Sequence, residues 1–370
     1  MTRSTWFQRF LLPGFAFKAV VIGGGYATGR ELAEFFLPSG PWGGLAGMAL
    51  ATVVWSVICV VTFLFARATQ SEDYRTFFRH LLGPFWGAFE AAYAFLIILI
   101  LAVFGAAAGA IGAAVFGWPP LLGALCLTLG IAAFVTFGNS AVERLFKYVS
   151  FFLYGVYALF LVLALGKFGD KIAAGFALPV HADGWAVGGL TYASYNIFGA
   201  VVILPMLRHL TSRRDAVVAG LLAGPLAMIP AVLFFICMVA FYPQIGGEAL
   251  PSDFLLRRLD QPVFHVVFQL MIFAALLESG TGGVHAINER IASVWSQRRG
   301  HDFPRAGRLA VAAVLLIGSI FIADRFGLVA LIAKGYRLLA WMFLAVYVLP
   351  LLTFGVWRLW SRRADVPVTV

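Results

Sequence analysis

Charge is the scarcest commodity in this chain of 370 residues. Asp, Glu, Lys and Arg together make up 12% of it, about half of what a soluble domain carries. Too little charge is present to solvate the surface of a soluble globule of this size. A soluble enzyme, a disordered chain and a nucleic-acid-binding domain are therefore excluded at the outset. Cysteine is almost as scarce. The three that occur, Cys59, Cys126 and Cys237, each fall inside an apolar run with no CxxC and no neighbouring His. That excludes a disulfide framework and a cysteine metal site. Long polar linkers and low-complexity tails are missing too. So are an HExxH motif, a GxxxxGK[ST] loop and any convincing Ser/His or paired-Asp constellation. Zinc hydrolysis, ATP-driven pumping by this chain alone and intramembrane proteolysis lose their usual residues with them.

What the chain has instead is apolar sequence. Of its residues 62% are hydrophobic, and the mean hydropathy is +0.92. Runs of about 20 apolar residues span a bilayer. Ten such runs are expected, over 10–36, 43–66, 85–116, 119–138, 147–166, 185–207, 216–241, 263–288, 307–324 and 327–356. The sequence thus predicts an all-α polytopic membrane protein, one transmembrane domain over 1–370. Trp6, Trp42, Trp86, Trp118, Trp185 and Trp357 fall near run ends, where amphipathic rings prefer the interface. Arg3 and Arg9 precede the first run as in a signal peptide. No A-x-A-type cleavage site follows, so that run is expected to stay as the first span.

The formal net charge of +10 is read as topology rather than as a polyanion site. With the N-terminus inside, the inner segments hold most of the basic residues, among them Arg67, Arg75, Arg79, Arg213, Arg214, Arg298 and Arg299. The outer segments hold only Lys167, Lys171, Arg257, Arg258 and Arg325. The positive-inside rule then puts both termini in the cytoplasm. Residues 67–84, with Ser71-Glu72-Asp73 as a helix start, read as holding a short amphipathic helix on the inner face. Ser212 with Asp215 reads as the cap of the seventh span. Residues 243–262 read as a partly helical outer loop able to act as a lid.

Two spans are interrupted by their own sequence. Gly23, Gly24, Gly25 and Gly29 stand mid-span in the first, and each glycine costs about 1 kcal/mol in a helix relative to Ala. Unwound backbone at membrane depth persists only where it is buried in protein or lines a cavity. Thr28-Gly29-Arg30-Glu31 fits a capping box, with Thr28 opening a second half-helix and Glu31 as its acid. Arg30 and Glu34 stand at i,i+4 spacing. The sixth span has a polar, weakly helix-forming centre from Thr191 to Gly199, where Asn196 is placed to cap a second half-helix. With five spans per half, 1–167 and 185–357, the halves insert in opposite senses. Interrupted spans at corresponding positions of inverted repeats point to the central site of a secondary transporter.

Ionisable groups inside spans are functional candidates by default. Glu278, Thr281, His285 and Asn288 or Glu289 share one helical face, a candidate coupling stripe for a proton or cation. An ion pair of Glu278 with Lys334 or Arg337 is the structural alternative. For Glu31 the capping role is favoured over substrate contact. Tyr26, Tyr192 and Tyr195 are candidate pocket rings able to stack on an ammonium group. Ser150, Tyr154 and Tyr157 form a polar stripe on span five. Lys18 is expected to snorkel or pair, and Gly105, Gly109 and Gly112 to serve close packing.

The GGGYATGRELAEFF stretch of span one and LIAKGY at 331–336 resemble the YkvI-like family of membrane proteins. That family is similar to a branch of the amino acid–polyamine–organocation superfamily, whose members have the LeuT fold of five plus five inverted helices. The resemblance covers essentially the whole chain. It implies a substrate site in the breaks of helices one and six, at Gly23, Gly24, Gly25, Tyr26, Ala27, Thr28, Gly29, Tyr192, Ser194, Tyr195, Asn196 and Gly199. It also implies, from many relatives, a sodium ion near hydroxyls of helix eight, here Ser279 and Thr281. Glu278 beside them departs from a plain hydroxyl pair, so proton coupling stands beside sodium. The function expected is Na+- or H+-coupled transport of a small amphipathic solute, an amino acid or related amine, in the plasma (inner) membrane. No cofactor beyond a bound Na+, no nucleic acid and no obligate protein partner are expected. A channel or substrate-binding sensor on the same fold is the alternative, with an intramembrane enzyme behind it.

Overall fold

The computed structural model describes residues 5–22, 24–137, 139–179 and 181–364, and among them every regular element is helical. The first expected span is three pieces: α2 (Leu12–Val21), α3 (Gly24–Ala27) and α4 (Arg30–Phe35), preceded by α1 (Trp6–Phe10). Then come α5 (Gly40–Thr69), α6 (Tyr74–Leu82), α7 (Gly87–Phe116), α8 (Pro120–Phe137) and α9 (Asn139–Phe176). The sixth expected span is α10 (Trp185–Asn196) and α11 (Gly199–Val202). The rest is α12 (Arg213–Val239), α13 (Pro251–Leu259), α14 (Pro262–Arg299), α15 (Arg305–Ala330), α16 (Arg337–Phe343) and α17 (Val356–Ala364). Three wider π-helical segments flank α16, over Leu331–Tyr336, Leu344–Val348 and Leu351–Gly355.

Among the described residues, six segments are long and apolar enough to cross a membrane, and Leu12–Val21 and Pro120–Val135 are shorter apolar helices. One of the six, Arg305–Ser361, is 57 residues long, far more than the ~20 a bilayer needs. It is divided at Gly327, whose φ of 71° and ψ of 165° no helix contains.

Packing between spans uses small residues where backbones meet. A Cβ on Gly224 of α12 would lie 2.4 Å from the Thr52 carbonyl oxygen of α5, and one on Gly220 would lie 2.6 Å from Val60. Pro225 in the same helix has no N–H, so the Leu221 carbonyl loses its normal donor four residues on. The Ser56 hydroxyl of α5 donates to that carbonyl at 3.0 Å. A proline is tolerated mid-span because a neighbouring helix satisfies the group it frees. Likewise Gly109 and Gly123 bring α7 and α8 into backbone contact, as the small-residue reading of span three expects.

The capping box at Ser212 and Asp215 is present, and Asp215 also pairs with Arg9 at 2.7 Å. The expected amphipathic helix is α6, capped by Asp73. Its apolar face is not laid on lipid. Phe77 and Phe78 are fully buried, and Phe78 stacks on Phe89 at 3.7 Å between ring centroids.

Candidate functional site

Both breaks exist, but they are built differently from the sequence reading. Gly23 lies outside the described residues. After Gly24, Gly25, Tyr26 and Ala27 form their single turn, α4 starts with Gly29 at its cap, φ 77°, and no side chain caps it. The Thr28–Glu31 capping box is therefore absent. Gly29 takes a left-handed conformation that suits glycine, and a Cβ there would lie only 2.6 Å from the Phe234 ring. The Thr28 hydroxyl accepts from the Arg30 N–H at 3.3 Å instead. Asn196 does not cap α11 either. Its amide donates back to the Tyr192 carbonyl at 3.1 Å, closing the end of α10, while Phe198 heads the next turn without a side-chain bond.

Freed from capping, Glu31 turns inward. It is 5% exposed, and the Tyr195 hydroxyl donates to its Oε2 at 2.5 Å. The Tyr336 ring from the LIAKGY segment packs on Tyr195 with centroids 4.5 Å apart. This cluster forms one end of a cavity of about 430 Å³. Its walls come from both interrupted helices and from α7, α9, α14 and the Leu331–Tyr336 segment. Polar groups on the walls are Glu31, Tyr93, Tyr154, Tyr195, Asn196, Glu278, Ser279 and Tyr336; Ile97, Ile100, Leu101, Phe104 and Phe198 supply apolar surface. Among the described lining residues there are two carboxylates and no Lys, Arg or His.

Of the residues named from sequence, the cavity brings together Tyr195, Asn196, Glu278 and Ser279. Tyr26 and Ala27 line a smaller void of about 170 Å³ with Lys18, Tyr154 and Tyr157. There the Tyr26 and Tyr157 hydroxyls lie 3.4 Å apart, and Tyr157 donates to the Pro230 carbonyl. Lys18 sits 4.4 Å from the Tyr154 ring centroid. The Ser150 side chain lies outside the described residues. Tyr192 is fully buried against Phe36 and Trp55. Ser194 donates to the Leu190 carbonyl within its own helix. Gly199 makes room for Phe17 and Val20 of α2.

The expected stripe on α14 does not face the cavity as a unit. The facing residues are Ala275, Glu278, Ser279, Gly282, Gly283 and Ala286. At 3.6 residues per turn, Thr281, His285 and Asn288 are rotated from that face by about a third of a turn. Thr281 and Asn288 are fully buried, with side-chain polar atoms that have no hydrogen-bond partner. Glu289 is exposed and pairs with Arg308. Lys334 and Arg337, the envisaged partners of Glu278, are exposed side chains.

On the face opposite Arg9, the connection from α12 to α13 covers the first break. Arg30 donates to the Gly246 and Glu248 carbonyls at 2.8 and 3.0 Å and to Glu34 at 2.7 Å. The Ser252 N–H donates to the Thr28 carbonyl at 3.0 Å. From Glu31 the cavity extends the other way, to Tyr93, Val202 and Ala286 near the Arg9 end of their helices.

Tyr93 and Tyr336 are polar wall residues that the sequence reading gave no site role, and for Glu31 it favoured the cap over substrate contact. The signal for Glu31 was its charge at membrane depth, and it was assigned to a cap instead. Tyr336 was in view only as part of a motif.

Comparison with known proteins agrees with this architecture. No protein-family model matches the chain. It is 21% identical over 336 residues to the uncharacterized membrane protein YkvI of Bacillus subtilis (strain 168), covering 90% of this chain and 92% of that one. Among solved structures it resembles MhsT in complex with L-phenylalanine, with a TM-score of 0.55 at 16% identity, over 97% of this chain and 98% of that one. It also resembles a Na+-coupled sialic acid symporter, TM-score 0.60 at 12% identity, over 95% and 82% of the two chains. A manganese transporter of Eremococcus coleocola gives 0.60 at 14% identity, over 95% and 80%. The fold is that of the LeuT-fold transporters.

Proposed function

We propose that this protein is a secondary active transporter of a small amphipathic solute, an amino acid or related amine, working by alternating access and coupled to Na+ or H+. The observation that carries the reading is the central cavity, walled by both interrupted helices, with the buried Glu31 carboxylate at one end and Glu278 in its lining. A carboxylate in a low-dielectric enclosure needs a proton or a cation. An ammonium group placed at Glu31 meets the carboxylate and the rings of Tyr195 and Tyr336, which attract cations. The coupling ion fits the other wall. Glu278 and Ser279 face the cavity there, and the Thr281 hydroxyl behind them is buried and unpartnered.

The architecture assigned to this function is ten spans in two inverted sets of five, 1–167 and 185–357, with both termini cytoplasmic in the plasma (inner) membrane. The distribution of arginine supports the orientation. Arg30 and the α12–α13 connection then close the outer side, while the cavity extends inward. The structural relatives, an amino-acid complex and a Na+-coupled symporter among them, favour the same class.

The test is counterflow. Protein in liposomes preloaded with unlabelled amino acids and amines is expected to accumulate labelled solute saturably, with dependence on Na+ or on a pH gradient. Glu278→Gln is expected to stop gradient-driven accumulation while sparing exchange. Flux without saturation identifies a channel, and binding without flux a sensor.

A further inference from the structure

On α14, Arg290, Ile291, Val294, Trp295, Arg298 and Arg299 recur at intervals of three and four, so they share one face at the end of that helix. Together with Arg75 of α6 and Glu90 of α7 they bound a pocket of about 490 Å³. It shares no lining residue with the central cavity. Its lining holds four arginines and a single carboxylate, an excess of three positive charges.

That carboxylate is already engaged on both oxygens. Glu90 Oε1 accepts from the Tyr74 hydroxyl at 2.9 Å and from Arg75 Nε at 3.1 Å, and Oε2 accepts from Arg290 Nη1 at 2.6 Å. The rings of Tyr74 and Tyr93, each with its centroid 4.2 Å from the Arg290 guanidinium, hold that side chain in place. Two cations are thus fixed beside one anion. Arg75 spends only its Nε there, and its Nη groups have no partner among the described residues and are not buried. Arg298 and Arg299 are exposed and enter no ion pair among the described residues. The positive-inside bias accounts for arginine at this end of the span, but not for four arginines converging on one pocket. Like charges held this close repel one another, and an anion among them relieves the repulsion.

We propose that this pocket binds the phosphate of an anionic phospholipid from the inner leaflet. Arg75, Arg298 and Arg299 donate to its oxygens, which a guanidinium matches in pairs, and Arg290 adds its charge behind them. Basic pockets between helices at the inner membrane surface take lipid phosphates in this way. A free phosphate leaves Ile291 and Val294 uncovered, whereas the glycerol and acyl chains of a lipid lie against them. A nucleotide finds no stacking face, because the Trp295 ring already packs with Arg299 at 4.6 Å and Phe303 at 5.5 Å. Only the choice of leaflet rests on the transporter reading, and binding is read without any flux.

The test is native mass spectrometry of the full chain in neutral detergent, with dioleoyl-phosphatidylglycerol and dioleoyl-phosphatidylcholine as probes. One phosphatidylglycerol is expected to bind saturably and ahead of phosphatidylcholine. Arg298→Gln with Arg299→Gln, both exposed, is expected to weaken that binding roughly 25-fold, about fivefold for each arginine. Arg213→Gln with Arg214→Gln removes the same charge at exposed positions elsewhere on the inner side and is expected to leave it unchanged. Val294→Trp keeps all four arginines but fills the pocket, and the one-site binding is expected to disappear. Equal weakening by the two arginine pairs marks general surface charge and overturns the proposal. So does binding that survives Val294→Trp, or the lack of any preference for phosphatidylglycerol. Inorganic phosphate added at the lipid's own concentration is expected not to compete; competition identifies a free-phosphate site and overturns the lipid as occupant.

Discussion

The Tyr195 hydroxyl donates a 2.5 Å hydrogen bond to Glu31 Oε2, and with it the two interrupted helices are joined across the end of the central cavity. Each residue is deeply buried, at 3% and 5% exposure. The bond sets which way the carboxylate faces. Tyr195→Phe removes the orienting donor but keeps the ring that packs on Tyr336. A hydrogen bond to a charged group contributes about 1.5–3 kcal/mol. Half-saturation for uptake is expected to rise roughly 10-fold or more, with expression unchanged. Glu31→Gln keeps the shape and removes the charge, and uptake is expected to fall to background. Uptake by Glu31→Gln at the wild-type rate rules out a cationic contact at this position.

Ser56 supports a proline deep within α12. It donates to the Leu221 carbonyl that Pro225 leaves without a partner. Ser56→Ala keeps the packing and orphans the carbonyl, which is expected to cost about 1–3 kcal/mol. The melting temperature in detergent is expected to drop accordingly. A double variant, Ser56→Ala with Pro225→Ala, restores the N–H of residue 225 and is expected to recover part of the loss. No recovery means that the hydroxyl acts through packing alone.

Asp73 starts α6 by accepting from the Thr76 N–H and hydroxyl at 2.9 and 2.7 Å. Burial pushes its carboxyl up, but the Thr76 hydroxyl, the Thr76 and Arg75 N–H groups and the Arg75 charge outweigh that and hold it below the usual value. A group whose folded value is depressed stabilises fully above its unfolded value and loses its contribution as pH falls through the folded one. Asp73→Ala is expected to cost about 1 kcal/mol at neutral pH. The gap in melting temperature between variant and wild type is expected to narrow in acid. A gap that stays constant with pH assigns the effect to something other than the ionised cap.

Much of this fold was legible in composition and spacing. Apolar run length located the long helices, and glycines marked where the first was broken. Ser212 with Asp215 announced its cap in the ordinary way. The roles of individual residues at the breaks were less legible. Thr28 to Glu31 spells a capping box, yet Gly29 takes a positive φ at the cap of α4, and a Cβ there would meet Phe234, a side chain two hundred positions away. The helix starts two residues later than the sequence spells, and Glu31 becomes cavity wall rather than cap. On α14 the polar residues do share one face, as their spacing says. Spacing does not say which neighbour that face meets, and the cavity meets the next face round. Tyr336 could be seen only once the Leu331–Tyr336 segment was placed beside α10.

Arg30 fastens the α12–α13 connection to the first break by bonds to two backbone carbonyls, Gly246 and Glu248, while Glu34 shares its charge. The side chain is 5% exposed, so water does not offer equivalent partners. The covering segment is thin. It consists of one 3-10 turn, Gln244–Gly247, and the nine-residue α13. Apart from Arg30, the main-chain bond that ties it to the break is Ser252 N–H to Thr28 carbonyl. Arg30→Met keeps the stem and removes the donors. Residues 244–252 are expected to exchange their amide hydrogens faster, by roughly 10-fold for about 1.4 kcal/mol of lost closure. Amides in the middle of α5 and α12 are expected to exchange as before, which separates local opening from general destabilisation. In flux assays the same variant is expected to favour binding from the outer side. Exchange in 244–252 that matches wild type shows that the cover is held without the guanidinium, whose bonds are then a consequence of closure rather than its cause.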